Sequence, residues 1–212
     1  IGYVRTTQSD PTLQYLTIDK LFEPENINNT TGIRIDEQSN AADSYRAANR
    51  QTAVYASVNV DPGKRFGIIA GVRAERNDQS LGSEALSEEV QNNSFDILPS
   101  LNLTYRYSEK VQLRAGYGIT VNRPEFRELA PFGFYDFSYN MVKKGNKDLK
   151  NARIHNMDLR WEYYPQSSEI ISLGVFYKKF IDPIETQFIP GGGSGGIKDF
   201  SFANVEGAVS MG

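Results

Sequence analysis

Residues 100–121 constrain the fold most. They read Ser-Leu-Asn-Leu-Thr-Tyr-Arg-Tyr over 100–107 and Val-Gln-Leu-Arg-Ala-Gly-Tyr-Gly-Ile-Thr-Val over 111–121, with only Ser108, Glu109 and Lys110 between them. Side chains alternate faces along a strand. A hairpin therefore puts Leu101, Leu103, Tyr105, Leu113, Tyr117 and Ile119 on one face. Ser100, Asn102, Thr104, Arg106, Gln112 and Arg114 fall on the other. The sheet has one apolar side and one wet side, and the wet side carries two arginines and no large apolar group. That balance suits a membrane barrel around a watery lumen better than a sandwich.

Composition narrows the alternatives. Hydrophobic residues make up 39% of the 212 residues, below the roughly 45–50% of ordinary globular chains. A mean hydropathy of -0.48 does not exclude a membrane barrel, because every second residue of its strands is polar. No stretch approaches the roughly 18 apolar residues of a membrane helix. The net charge of -3 and the lack of a basic run argue against nucleic acid. Without cysteine there is no disulfide, thiolate–metal site or cysteine nucleophile. The chain starts at Ile1 with no charged segment leading into an apolar core, so the expectation is a mature or trimmed piece without a signal peptide.

The same rhythm runs along the chain. Residues 1–44 are poorly patterned, with a polar, turn-rich stretch at 26–32. Alternation predicts strands over 45–60, 65–76, 153–164, 169–181 and from about 201 to the end. Short turns are expected at 61–64, 108–110 and 165–168, and long loops at about 77–93, 122–152 and 182–200. Short and long connections thus alternate, as in outer-membrane barrels with short periplasmic turns and long extracellular loops. Phe66, Tyr105, Tyr107, Trp161, Tyr163 and Tyr164 lie near the short turns and suit an interfacial girdle; β-propensity alone also enriches strands in aromatics. The expected fold class is all-β, an antiparallel up-and-down transmembrane β-barrel of which this chain supplies about seven or eight strands. The organisation expected is the end of a preceding strand and an extracellular loop over 1–44, then barrel strands over 45–212.

Leu113-Arg-Ala-Gly-Tyr-Gly-Ile-Thr-Val-Asn-Arg-Pro-Glu-Phe-Arg-Glu-Leu129 resembles the C-terminal half of the barrel of TonB-dependent outer-membrane receptors of Bacteroidetes type. In that family a strand runs into Arg-Pro-x-Phe and Glu-Leu, and the loop closes on Gly-Asn-Pro-x-Leu-Lys-Pro. Here Arg123-Pro124-Glu125-Phe126 and Glu128-Leu129 are followed by Gly145-Asn146-Lys147-Asp148-Leu149-Lys150. Asp158–Tyr164, Val175–Lys178, Asp182–Glu185 and Ala70–Glu75 also fit the pattern, so the resemblance covers roughly 45–212. Lys147 and Asn151 depart from it, standing where the family has prolines. The resemblance implies a bacterial outer-membrane location and a plugged barrel of about 22 strands. This chain would be about a third of it, truncated at both ends and lacking the plug. Implied partners are outer-membrane lipid, the TonB complex through the missing N-terminal plug, a small-molecule or glycan ligand and a surface lipoprotein. The implied activity is active uptake of a scarce nutrient such as a siderophore, cobalamin or glycan. The alternatives are a small passive porin or adhesin barrel and a soluble β-sandwich binding module.

The inward charges Arg73, Glu75, Arg106, Arg114, Asp158, Arg160 and Glu162 either contact a plug or substrate or neutralise one another in a wet interior, because unpaired buried charge is costly. Arg123 heads a segment that shapes a vestibule or ends the strand, since Pro124 has no N–H for a ladder. The aromatic loop 130–146, with Phe134 and Tyr135, stacks a flat ligand or packs on neighbouring loops. Substrate or lumen-lining candidates are thus Arg73, Glu75, Arg114, Arg123, Phe134, Tyr135, Asp158 and Arg160. His155, the only histidine, has no partner at metal-binding or acid–base spacing and reads as a strand-end surface residue. The Gly191–Gly196 run lacks the following Lys-Ser/Thr of a phosphate loop. Glu88 and Glu89 sit in a polar loop with no cleft. No enzyme, cofactor or metal site is expected.

Overall fold

The structure is a computed structural model and describes residues 2–5, 10–36, 44–83, 89–166, 168–191 and 197–212. In chain order its strands are β1 (Gly2–Arg5), β2 (Ile33–Asp36), β3 (Tyr45–Val60), β4 (Phe66–Ser83), β5 (Val90–Arg106), β6 (Val111–Asn122), β7 (Gly133–Asp136), β8 (Met141–Lys144), β9 (Ala152–Tyr163), β10 (Ile171–Ile181), β11 (Ile184–Phe188), β12 (Lys198–Asn204) and β13 (Gly207–Met211). Two one-turn helices, α1 (Ile18–Leu21) and α2 (Phe126–Leu129), lie between them. Contacts divide the chain into Ile1–Ser44 and Tyr45–Gly212.

In the first unit β1 and β2 form an antiparallel ribbon with Tyr3 opposite Ile35. The turn-rich stretch after α1 is organised by Asn28, whose Oδ1 accepts from the backbone N of Thr30, Thr31 and Gly32 at 3.1, 2.9 and 2.9 Å. The Asp10 carboxylate accepts from the backbone N and Oγ1 of Thr12, which holds its carboxyl below the usual range.

The second unit is built on a seven-stranded sheet in the order β13-β10-β9-β6-β5-β4-β3. Every pairing in it is antiparallel, so the long strands run up and down in sequence. The predicted alternation fixes the register. One outer-face row runs Val60, Ile68, Leu103, Ala115, Leu159 and Val175 across six strands. No second sheet covers this face among the described residues, so Val54, Phe95, Leu103, Leu159 and Leu173 remain exposed. That disposes of the sandwich alternative. On β5 the outer face stays apolar from Phe95 to Tyr105. Ten steps of about 3.3 Å at a tilt of roughly 40° rise about 25 Å, the height of a membrane barrel's apolar band.

Three expectations are corrected. Residues 77–83 and 90–93 are strand, not loop: β4 runs to Ser83 and β5 begins at Val90. Here Asp78 and Ser80 face outward opposite Asn93 and Gln91, so both faces carry polar residues and alternation no longer marks a strand. The long backbone ladder holds the pair all the same. The last expected strand is also two strands, β12 in a smaller sheet and β13 in the large one. Tyr164 leaves the expected girdle: its hydroxyl donates to Glu162 Oε2 at 2.8 Å on the inner face. Phe66 and Tyr105, by contrast, pair on the outer face with ring centres 5.0 Å apart. Gly63, with φ of 76°, makes the tight turn of 61–65 that a side chain would strain.

The expected loops 122–152 and 182–200, with the start of the expected last strand, fold together. β11, β12, β8 and β7 form a four-stranded sheet in which β12 and β8 are parallel. Asn204 ties the two segments, donating to the backbone O of Lys150 and of Asp182 at 2.9 and 2.7 Å and accepting from Lys150 N at 2.8 Å. This roof covers the end of the large sheet's inner face with a small core of Leu81, Val90, Leu129, Ala130, Phe132 and Leu149. Pro124 ends the β6 ladder, and a reciprocal Glu125–Glu128 capping box starts α2. Gly145 is required by close approach: a Cβ there would sit 2.1 Å from the backbone O of Ala130. Gly145→Ala is expected to destabilise the roof by about 1–3 kcal/mol. Hydrogen exchange should rise over 123–151 and stay unchanged in β9 and β10; uniform protection in both regions would refute this.

Candidate functional site

The inner face brings most of the expected charges together in two groups. In the first, Arg123 Nη2 donates to Glu75 Oε2 at 2.8 Å and to Asp96 Oδ2 at 2.9 Å. Arg73 closes on Glu75 Oε1, Gln51 Nε2 donates to Glu75 Oε2 at 2.9 Å, and Ser94 Oγ donates to Asp96 Oδ2 at 3.1 Å. Arg153 stands 3.7 Å from Asp96 Oδ1. Two nearly buried carboxylates thus answer three guanidinium groups. In the second group, Arg114 and Arg160 are direct cross-strand neighbours whose like charges would repel. Glu162, buried beside them, takes Arg114 Nε at 3.2 Å and Arg160 Nε at 3.0 Å. Asp158 faces the same way but is exposed and makes no ion pair among the described residues.

The aromatic segment divides. Phe134 packs against the roof core, its ring 5.2 Å from that of Phe132, with the Arg127 guanidinium 4.7 Å above it. Tyr135, Phe137 and Tyr139 remain exposed, and Tyr135 Oη donates to Asn140 Oδ1 at 2.9 Å. Arg127, Phe134, Tyr135, Phe137, Lys143 and Phe202 line a cavity of about 330 Å³. His155 is half-buried on the outer face, its Nδ1 3.0 Å from Tyr117 Oη.

A second cavity, of about 570 Å³, opens on the inner face between β3, β4 and the Arg123–Arg127 segment. Asn49, Gln51, Asn77 and Gln79 line it along with Tyr45 and Arg123. Asn77 is 1% exposed, yet neither atom of its carboxamide has a hydrogen-bond partner among the described residues. Sequence reasoning missed Asn77 and Asp96. Asn77 fell in the expected loop; the alternation of Phe95, Ile97 and Pro99 was the signal that Asp96 faces inward. Glu88 and Gly192–Gly196 lie outside the described residues. Among the described residues, no cluster of acidic or histidine side chains has the make-up of a metal site.

The Outer membrane protein beta-barrel family model matches residues 12–212. The chain belongs to the outer membrane protein β-barrel family. Membership places this barrel chain in the bacterial outer membrane and its exposed apolar band against lipid. No curated protein matches it. Its fold is similar to that of a Serratia marcescens hemophore receptor, HasR, solved as a double mutant in complex with its hemophore HasA and heme: 14% identity, TM-score 0.63, covering 77% of this chain and 31% of that one. The siderophore receptor PirA from Pseudomonas aeruginosa matches at 16% identity and TM-score 0.55, over 79% of this chain and 39% of that one. A mutant of the Pseudomonas aeruginosa ferric enterobactin receptor PfeA, in complex with enterobactin, matches at 17% identity and TM-score 0.51, over 90% and 34%. The barrel chain therefore spans between 31% and 39% of the length of these receptors.

Proposed function

We propose that this chain is the C-terminal part of the barrel of a Bacteroidetes-type TonB-dependent receptor that takes up a scarce nutrient. The observation that carries the reading is the pairing of an apolar outer band with an inner face of ion-paired charges whose open end is roofed by folded connections. A passive pore needs an open lumen. A roofed interior suits capture of a ligand followed by gated passage. In this reading the roof and the loops beside it face the outside, and the short turns of 61–65, 107–110 and 164–170 face the periplasm. Arg73, Glu75, Arg114, Arg123, Asp158 and Arg160 line the interior, and Phe134 and Tyr135 belong to the outer vestibule. Energy enters through a plug domain that engages TonB; the ligand is a siderophore, cobalamin or glycan, delivered with or without a surface lipoprotein. The chain performs no bond chemistry.

Uptake by the full-length protein tests this. Deleting its gene should abolish growth on one scarce nutrient, and deleting TonB should reproduce the loss. In planar bilayers the purified protein should show no steady conductance. Uptake that persists without TonB, together with an open channel, would replace the receptor with a passive porin.

A further inference from the structure

We propose that the inner-face cavity beside Asn77 binds the main chain of an extended peptide, held by the free carboxamides of Asn77 and Asn49. Asn77 on β4 faces inward, is 1% exposed, and has neither its Nδ2 nor its Oδ1 hydrogen-bonded among the described residues. Buried polar groups are nearly always paired, so one carboxamide with both atoms free requires an explanation. It lines a cavity of about 570 Å³, within the roughly 300–1,000 Å³ range of small-ligand sites.

The surroundings define what that ligand must be. Gln51 stands directly opposite Asn77 and Asn49 directly opposite Gln79, giving a two-by-two plate of carboxamides across the β3–β4 ladder. Two of the four have hydrogen-bonding commitments. Gln79 donates to Pro124 O and accepts from Asn92, and Gln51 donates to Glu75. Asn49 makes no hydrogen bond among the described residues, so Asn77 and Asn49 are left, diagonal to each other. Diagonal neighbours in an antiparallel pair lie about 7–8 Å apart. An extended chain presents the N–H and C=O of alternate residues on one edge, with a repeat of about 6.6 Å. A carboxamide matches each such edge, donor to acceptor and acceptor to donor.

Charge favours a neutral ligand. Of the charged groups in the wall, Arg127 and Glu125 are of opposite sign and offset each other, and Arg123 is already held by Glu75 and Asp96, while its buried Nε has no acceptor among the described residues. The wall thus carries no net excess of either sign outside the Arg123 cluster, whereas an amide finds two acceptors and three donors on Asn77, Asn49 and Arg123 Nε. The proposal rests on the receptor reading only for the source of the peptide, which is the medium outside the cell.

The test uses the full-length protein in detergent and acetyl-tetraalanine-amide, a peptide without terminal charges, in a calorimetric titration. The peptide should bind. Asn77→Leu, which removes both polar atoms and fills similar space, and Asn49→Ala, an exposed change, should each weaken it by about tenfold, the loss of a paired amide contact. Replacing a central amide of the peptide with an ester should do the same to the unaltered protein, a result that a purely structural role for Asn77 would not produce. Absence of binding would leave the carboxamide to water and overturn the proposal. Equal affinity in both variants, an ester that binds as well as the amide, or maltotriose binding in the peptide's place would overturn it too. Peptide binding without any TonB-dependent uptake would sink the receptor reading and leave this site standing.

Discussion

Replacing Leu159 with arginine lowers the unfolding free energy of the protein in bilayers by about 2–4 kcal/mol, the cost of a cation on the lipid face near the bilayer midplane. Leu159 lies inside the apolar band, between Ala115 and Val175 on the neighbouring strands, and is 44% exposed. In a soluble protein an exposed leucine is a cheap site for arginine, so the sign of the effect depends on lipid. Ser57→Arg, on the inner face of β3, stays within about 0.5 kcal/mol because that face is wet. Urea unfolding in phospholipid vesicles, extrapolated to zero denaturant, measures both. Equal costs for the two substitutions would mean that the outer face does not meet hydrocarbon.

Arg123→Met is expected to cost about 3 kcal/mol, because it strips a shared partner from two nearly buried carboxylates. The side chains of Glu75 and Asp96 are 8% and 7% exposed. Arg73 remains on Glu75, and the longer Arg153 contact remains on Asp96, which holds the loss toward the lower end of the range for broken buried pairs. Arg73→Met removes a partner that is itself 44% exposed, and costs under about 1 kcal/mol. The diagnostic result is coupling. Asp96→Asn added to Arg123→Met should recover part of the stability, because the uncompensated charge has gone. If the double variant is as unstable as the sum of the single ones, the arginine is holding shape rather than charge.

Much of the large sheet was legible because alternation is a local property. Leu101, Leu103, Leu113 and Leu159 declare their face by being apolar at every second position, and Arg73, Glu75, Arg114 and Arg160 declare the other. The signal failed where both faces turn polar. Asn77 and Asp78 look alike in sequence, yet one is buried beside a cavity that Pro124 and Phe126 also line, and the other faces away from the interior. The aromatics at 130–146 were legible as a group but not as individuals: Phe134 packs into the roof core, whereas Phe137 is left exposed.

The sequence by itself determined a two-faced antiparallel sheet, its short turns, and the split between an apolar outside and a charged inside. These follow from a period of two residues, which each strand carries within itself. Only the tertiary structure decided the partners. Arg123 meets Glu75 and Asp96 across 48 and 27 residues of chain. β8 and β12 pair in parallel, with Met141 opposite Lys198, and Asn77 shares a cavity with Pro124, 47 residues further along the chain. Register and the folding of the long connections set those meetings, and no periodicity within one strand encodes which distant strand will stand beside it.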